Sequence, residues 1–387
     1  MNVTQQGVLT LLKSAMTGQA LALPDGFDLE AAATVIRRHH ILPLIYDGAV
    51  RCGISPEHPL MRQMFVRYCG ILRQSEQQLH ALERIYRAFE ENGIDYMPLK
   101  GANMKFLYPK PELRVMGDAD ILIRPEQYGR IIPIMESLGF AADGESDHEY
   151  IWKSPELYLE LHKRLIPTYN RDFYTCLGDG WDYADCTAGT RYSMTEEDTF
   201  VYLFTHFSKH YRDGGIGCRH VLDLWVYLNA HPDMDRKDIR NKLESLQLWE
   251  FYENIRRLMG VWFCGEPENE KTSYISDFLF SSGSWGALDV KVLSEALRNS
   301  RQKGSRSRLT YLWNRVFPKV WVLKREYPIL NSAGVLLPVF WLIRPFHRLL
   351  AQPDLLKQQR KNLDTISARN LEARQKMLQY VGLDYHF

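Results

Sequence analysis

The sequence lacks several features that would point to a particular partner or compartment. Its 48 basic and 47 acidic side chains leave a net charge of only +1, which gives no indication of nucleic-acid binding. The six cysteines show no CxxC spacing and are too sparse for a disulfide scaffold, so we expect reduced thiols in a cytoplasmic protein. No basic segment begins the chain, so we expect no signal peptide.

Long hydrophobic runs are also scarce. The apolar run at residues 335–343 is interrupted by Pro338 and is too short to span a bilayer, so we expect no transmembrane segment. The aromatic and basic residues across residues 313–350 are typical either of a buried helix pair or of peripheral membrane contact. With 387 residues and 45% hydrophobic content, the chain can bury a sizeable core and is expected to form two or three domains.

A glycine-containing turn is the first motif that is present. Residues 95–99 are predicted to form a short strand that leads into Lys100-Gly101-Ala102-Asn103, where a short helix begins. Such a junction lets backbone N–H groups face an anion, and the missing Cβ allows a close approach. Taken alone, glycine at this position is more typical of an ordinary turn.

A pair of aspartates follows. Asp118 and Asp120 precede the apolar residues 121–123, which are predicted to form a buried strand. Because residues two apart on a strand point to the same face, the two carboxylates project together and repel each other unless a cation offsets their charge. Their oxygens are suitable ligands for Mg²⁺ bound together with substrate phosphates. The alternative is an exposed strand start with two solvated aspartates.

A third carboxylate lies on a later strand. Residues 157–162 alternate strictly, with three leucines on one face and Tyr158, Glu160 and His162 on the other. If this strand pairs beside the Asp118–Asp120 strand, Glu160 completes a cluster that could hold two metal ions around an in-line displacement. The alternative is an ordinary outward-facing glutamate.

The order of these motifs resembles the nucleotidyltransferase fold superfamily. The segments that carry the resemblance are L-K-G-A-N, L-Y-P, L-R, G-D-A-D-I-L-I and L-E-L-H, and they lie within residues 94–165. Within the superfamily, the pattern is similar to a branch of poorly characterised bacterial nucleotidyltransferase-like proteins. The resemblance implies a catalytic core at residues 94–190.

Carried over by position, the resemblance implies roles for individual residues. Asp118 and Asp120 are implied to be metal ligands, and Glu160 is implied to be the third ligand or the base that activates the acceptor. Gly101 and Ala102 are implied to hold nucleotide phosphate.

Two departures from the superfamily pattern affect the nucleotide site. Ala102 supplies no hydroxyl group, and the interval between the turn and Asp118 is longer than usual. Lys100 and Arg114 are predicted to compensate, because each can reach phosphate oxygens and arginine presents a bidentate fork. The predicted nucleotide-binding residues are Lys100, Gly101, Ala102, Asn103 and Arg114.

Helical periodicity surrounds the predicted core. The alternation of strands and helices between residues 96 and 162 predicts a small mixed sheet, so the predicted fold class is α+β. Residues 166–190 are predicted to be irregular. The predicted regions are a helical N-terminal region at 1–93, the core at 94–190, a helical region completing the cleft at 191–270 and a helical C-terminal region at 271–387.

The predicted helices after residue 195 carry several polar residues. His206 and His210 lie four residues apart, so we expect them to line one side of a cleft. The histidines and cysteines of this region have no spacing typical of a closed zinc site. Arg212 and Arg219 are predicted to lie near the nucleotide or acceptor, and Asp223 is predicted to be a buried polar anchor.

The sequence therefore predicts transfer of a nucleoside monophosphate from an NTP, with ATP as the favoured donor and Mg²⁺ or Mn²⁺ as the cofactor. The acceptor is open: a small molecule such as a sugar phosphate, a peptide or a protein, with nucleic acid disfavoured by the neutral net charge. One alternative is a catalytically silent module that binds a nucleotide or a partner. Another is kinase-like transfer of the terminal phosphate on the same carboxylates.

Overall fold

The computed structural model describes residues 1–283, 288–303, 313, 317–318, 320–331, 333–351 and 365–385. In these ranges helices surround one mixed β-sheet, and the predicted α+β class is confirmed. None of the described helices is long and apolar enough to cross a membrane. The predicted peripheral contact through residues 313–350 lies partly outside the described residues and stays a prediction.

Four helices precede the sheet: α1 (Val3–Thr17), α2 (Leu29–His39), α3 (Leu42–Arg51) and α4 (Pro59–Glu91). Asn2 and Gln5 form a capping box at the start of α1, and the Asp28 side chain accepts a hydrogen bond from the N–H of Glu30 at the start of α2. The second half of α4 buries Leu82, among other apolar side chains, against the sheet. This helix therefore connects the N-terminal helices to the core.

The sheet follows the order β3-β4-β5-β2-β1-β7-β6. Its pairs are antiparallel except for β1 with β7 and β2 with β5, which are parallel. All five residues of β2 are buried, as expected for a central strand with an apolar sequence. The strands are β1 (Tyr96–Pro98), β2 (Ala119–Ile123), β3 (Ala141–Glu145), β4 (Glu149–Lys153), β5 (Tyr158–His162), β6 (Asp185–Ala188) and β7 (Arg191–Ser193).

The register of the central strands places polar residues side by side. Asp120 on β2 is paired with Glu160 on β5, and His162 on β5 is paired with Glu149 on β4. Side chains at directly paired positions share one face of a sheet. The sheet therefore presents two neighbouring rows of polar groups on the same face.

The remaining described helices cover the sheet and extend beyond it. They are α5 (Lys100–Met104), α6 (Tyr128–Ser137), α7 (Arg171–Leu177), α8 (Glu196–Asp213), α9 (Cys218–Ala230), α10 (Arg236–Ser245), α11 (Trp249–Met259), α12 (Glu270–Ser282), α13 (Leu288–Lys303), α14 (Val320–Glu326), α15 (Leu337–Ala351) and α16 (Ala368–Tyr380). The prediction that residues 166–190 are irregular is wrong, because they contain α7 and β6. The many Asp, Gly and aromatic residues of this segment give no clear periodicity, so the sequence does not predict these two short elements, which pack through tertiary contacts.

Helix α8 is held firmly on one side. Phe204 packs against Phe251 and Tyr252 of α11, with ring centroids 5.7 and 5.4 Å apart. At the other end, Arg374 of α16 donates hydrogen bonds to the carbonyl oxygens of Tyr211 and Arg212, each at 2.9 Å. These contacts satisfy carbonyls in the last turn of the helix. The opposite, polar face of α8 is thereby fixed toward the sheet.

Candidate active site

A cleft of about 550 Å³ lies between the sheet and three of the helices. One wall consists of the junction between β1 and α5, the residues leading into β2, and β4 and β5. The other wall is formed by α8, α9 and α13. The predicted site residues Lys100, Gly101, Arg114, Asp118, Asp120 and Glu160 all line this cleft.

Asp120 is buried at the base of the cleft and accepts two charged hydrogen bonds. Its Oδ1 atom lies 2.9 Å from Lys100 Nζ and 2.8 Å from His162 Nε2. Burial favours the neutral carboxyl, but Lys100 and His162 outweigh it and hold the pKa of Asp120 well below its usual range. Although burial favours neutral imidazole, hydrogen bonds to Asp120 and Glu160 raise the pKa of His162 to about 9. This part of the site is already balanced in charge.

Asp118 is different, because no described residue gives its carboxylate a hydrogen bond or an ion pair. It is half-buried and faces the negative charges of Asp120 and Glu160. Burial and these two neighbours raise the pKa of Asp118 to about 6. The Glu160 carboxylate lies 3.5 Å from His162 Nε2. The two carboxylates around Asp120 therefore carry charge that the protein compensates only in part.

The facing wall on α8 carries imidazole and ammonium groups. Lys100 Nζ lies 3.1 Å from His206 Nε2, which lies 3.0 Å from His210 Nε2. Lysine is only a donor, so His206 Nε2 accepts. Burial lowers the pKa of both histidines well below the usual value, helped by the charge of Lys100 at His206 and of Lys209 at His210. Both histidines line the cleft, as predicted from their spacing.

Lys209 is a further cation on α8, and it is buried in the cleft wall. None of the described residues forms a hydrogen bond or an ion pair with it. Burial, followed by repulsion from Lys100, lowers the pKa of the Lys209 amine to about 8. An ammonium group without a partner in a cleft is available to an anionic ligand.

Arg114 is fully engaged by the protein. Its Nε and Nη2 atoms donate to the two carboxylate oxygens of Asp223 at 2.8 and 3.0 Å, and Nη1 donates to the carbonyl of Gly101 at 3.2 Å. The Tyr108 hydroxyl donates to Asp223 at 2.7 Å. This cluster ties the turn after β1 to α9, and Asp223 is buried, as predicted.

The turn itself has an unusual backbone. The positive φ falls on Lys100, at +30°, whereas Gly101 has no positive φ. A Cβ built on Gly101 would lie 3.4 Å from Arg114 Nη1 and 3.5 Å from the Asp118 carbonyl oxygen. These are ordinary van der Waals distances, so the turn lies close to both segments without requiring glycine at position 101. The strained lysine conformation is of the kind that proteins retain at functional sites.

Other predicted residues lie outside the cleft. Ala102 is buried in the core beside the sheet, and the Asn103 amide donates to the Pro98 carbonyl at 3.1 Å. Arg212 is buried and forms an ion pair with Asp172, whereas Arg219 lines the cleft. Among the described residues, the groups able to hold a metal do not include His206 and His210.

The cleft-lining residues that were not selected from the sequence include His148, Glu149, His162 and Lys209. His162 had a signal, because it alternates in phase with Glu160. The placement of Glu149 depends on the pairing of β4 with β5, which sequence periodicity does not specify.

The donor set of the cleft fits a divalent cation. Asp120, Glu160 and His162 each offer a ligand atom within 4.8 Å of the others, and Asp118 adds a carboxylate without a partner. Hard oxygen donors of this kind suit Mg²⁺ or Mn²⁺.

A mixed sheet with a carboxylate cluster facing a helix-lined cleft is the arrangement that the sequence resemblance implied. The chain belongs to a family described as an uncharacterised nucleotidyltransferase, whose model matches residues 25–264. This span contains the whole sheet together with α8 and α9, and it confirms the predicted family. No curated protein and no solved structure gives a significant match. Membership of the family supports the general class of reaction, transfer from a nucleoside triphosphate.

Proposed function

We propose that the protein transfers a nucleoside monophosphate from ATP to an acceptor hydroxyl and releases pyrophosphate. The observation that carries the proposal is the Asp118 carboxylate, which none of the described residues pairs, beside Asp120 and Glu160 in a cleft that also holds the ammonium group of Lys209. Negative charge on one wall suits a metal-bound phosphate, and positive charge on the other suits the remaining phosphates of the triphosphate. Family membership supports the same class of reaction.

Asp118, Asp120 and Glu160 would hold Mg²⁺ or Mn²⁺, which when bound supplies charge neutralisation on the phosphates undergoing transfer. Glu160 is less enclosed than Asp120, with 20% of its side chain exposed against 7%, and it would accept the proton of the acceptor hydroxyl. The acceptor oxygen then bonds to the α-phosphorus, the bond between the α-phosphorus and the bridging oxygen breaks, and pyrophosphate leaves.

The cationic groups would hold the triphosphate. Lys209 forms no ion pair with the residues that the structure describes, so it can contact phosphate oxygens without breaking one of those pairs. Lys100 lies between Asp120 and His206 and would contribute a second ammonium group. Arg114 would act indirectly, because its bonds to Asp223 and Gly101 fix the turn that carries Lys100.

Label transfer tests the proposal. The protein is incubated with Mg²⁺, fractionated cell extract as the source of acceptors, and either α-labelled or γ-labelled ATP. The Asp118→Asn/Asp120→Asn double variant is the inactive comparison, and Asp25→Asn/Asp233→Asn, which changes two exposed aspartates, is the matched control. Retention of the α label alone, lost only in the first variant, is the expected result.

The same assay separates the alternatives. Retention of the γ label alone would identify a phosphotransferase on the same carboxylates. Absence of both labels, with GTP, CTP and UTP behaving alike, combined with metal-dependent nucleotide binding, would identify a silent binding module. One observation favours this module: Lys100 and His162 already balance the charge of Asp120.

A further inference from the structure

A second group of possible metal ligands lies on the sheet next to the paired residues Asp120 and Glu160. His148, Glu149 and His162 each offer one ligand atom, and the three atoms lie within 4.8 Å of one another. Pairing of Glu149 with His162 across β4 and β5 puts both side chains on the face that lines the cleft. Two imidazole nitrogens and one carboxylate thus converge beside the carboxylates of the proposed transfer site, and His162 belongs to both groups of possible ligands.

His162 is oriented as metal-binding histidines usually are. Its Nε2 atom is held by Asp120 Oδ1 at 2.8 Å, which directs the other nitrogen away from that carboxylate. The Nδ1 atom is buried and has no hydrogen-bond partner within the described part of the chain, and the residue is only 3% exposed. Buried polar atoms without a partner are uncommon and call for an explanation such as an ion. A carboxylate bound to one ring nitrogen fixes a histidine and makes its other nitrogen a better ligand.

His148 is the second imidazole of this group. Ser146 Oγ lies 3.2 Å from its Nδ1 atom, while its Nε2 atom lies 3.0 Å from Glu149 Oε2. The rings of His148 and His162 face each other edge to face, with centroids 5.7 Å apart. The two rings differ, because His162 keeps Nδ1 without a partner among the described residues, whereas His148 has Nδ1 beside Ser146 and Nε2 against the Glu149 carboxylate. An ion at the shared position would replace the direct contact between His148 Nε2 and Glu149 Oε2.

We propose that His148, Glu149 and His162 form a second cation site in the cleft, selective for a transition metal of the Zn²⁺ or Co²⁺ class. Nitrogen donors favour these ions, whereas Mg²⁺ prefers the oxygen donors of the neighbouring carboxylates. Three protein ligands leave a fourth position of a tetrahedral ion open to solvent or a bound molecule. The site stands apart from the proposed nucleotidyl transfer, because it requires neither a nucleotide nor an acceptor.

Cobalt spectroscopy of the full chain tests the site without any nucleotide. Co²⁺ is titrated into the protein in the presence of excess Mg²⁺, which occupies the oxygen donors, and visible absorption is recorded. We expect one Co²⁺ per chain with the intense bands of a tetrahedral nitrogen-containing site, removed by added Zn²⁺. His148→Gln and Glu149→Gln are each expected to weaken Co²⁺ binding at least about tenfold. Both residues are partly exposed, so these variants should fold even if a His162 variant does not.

Two controls identify the position of the ion. His210→Gln removes an imidazole elsewhere in the same cleft, and Asp118→Asn removes a neighbouring carboxylate, so both are expected to keep the cobalt spectrum. Weak octahedral absorption in the wild type would overturn the proposal, as would an unchanged spectrum in Glu149→Gln. Loss of the bands in His210→Gln or Asp118→Asn would also overturn it. None of these measurements depends on turnover. A negative result for the cobalt site would therefore not affect the test of nucleotidyl transfer by label transfer.

Discussion

Two charged clusters line the same cleft and differ in how completely the protein satisfies them. In the first, the Asp223 carboxylate accepts hydrogen bonds from the side chains of Arg114 and Tyr108, so the protein itself compensates its charge. In the second, Asp118 has no described partner and faces the carboxylates of Asp120 and Glu160. The first cluster holds segments of the fold together, whereas the second leaves charge for a ligand to compensate.

The pKa directions of the two clusters express the same difference. Burial favours a neutral Asp223, but Arg114 outweighs burial and lowers its pKa. For Asp118, burial and the neighbouring carboxylates act together and raise its pKa to about 6. A partly buried carboxylate with a raised pKa inside a cleft is a marker of a functional site, whereas a carboxylate paired with arginine is typical of a structural role.

The largest expected effect comes from breaking the satisfied cluster. Arg114→Met leaves Asp223 as a buried charge without its arginine, so we expect the free energy of unfolding to fall by about 3–5 kcal/mol. Urea denaturation followed by circular dichroism measures the change. The double variant Arg114→Met/Asp223→Leu removes both charges and should recover most of the loss.

The opposite outcome would redefine Arg114. If Arg114→Met keeps its stability but loses ATP affinity, the arginine contacts phosphate directly, as the sequence predicts. The two clusters would then both belong to the ligand site.

The next effect separates the two aspartates. Asp118→Asn should lower α-label transfer by roughly 10²- to 10³-fold. We expect no loss of stability, because the role proposed for this carboxylate is to bind the metal ion and not to pair with another side chain. Asp120→Asn should lower transfer similarly and also destabilise the fold, because Lys100 and His162 lose their shared anion. Initial rates and urea midpoints on the same preparations distinguish the two variants. Equal stability of both would show that the pairs with Asp120 are not structural.

Much of this site was predictable from local sequence pattern. The apolar alternation around Glu160 and the D-x-D pair predicted two strands with carboxylates on one face, and β2 and β5 pair with Asp120 beside Glu160. These predictions succeed because a strand's period of two decides which side chains share a face. The sequence treats Asp118 and Asp120 alike, however, since both fit the same motif.

The difference between Asp118 and Asp120 arises from tertiary contacts. Lys100 reaches Asp120 from a turn 20 residues earlier, and His162 reaches it from a strand 42 residues later. Arg114 has the length to reach a phosphate, but its bond to Asp223, 109 residues away, could not be inferred from periodicity. Lys209 is indistinguishable in sequence from a solvated helix cation, and only packing shows that it is buried.

Lys209 provides the third test, because it is the unpartnered cation opposite Asp118. Lys209→Met should stabilise the fold by on the order of 2 kcal/mol at pH 7, since methionine is buried without a charge, and should weaken binding of ATP. The pKa of Lys209 is about 8 in the fold against 10.5 ordinarily, so the unfolded chain binds the proton more tightly between these values. Wild-type stability therefore rises as pH increases from about 8 to 10.5, and the advantage of the variant shrinks over that range.

Thermal midpoints at pH 7 and pH 10 measure this effect. Lys291→Met, which removes a cation from an exposed position that also lines the cleft, is the matched control. An advantage for Lys209→Met that is as large at pH 10 as at pH 7 would mean that packing, not charge, causes the stabilisation.

The smallest effect concerns the stability of Asp118→Asn. Removing one of three neighbouring negative charges relieves repulsion from Asp120 and Glu160, so we expect a gain of about 1 kcal/mol in the free energy of unfolding at pH 7. Asp25→Asn, an exposed aspartate, should leave stability unchanged. Saturating Mg²⁺ should reduce the difference between wild type and Asp118→Asn, because a cation relieves the same repulsion. A loss of stability in Asp118→Asn would instead make Asp118 a structural residue like Asp223. A gain in stability with a loss of transfer is expected of a residue that is retained for function at a cost to folding.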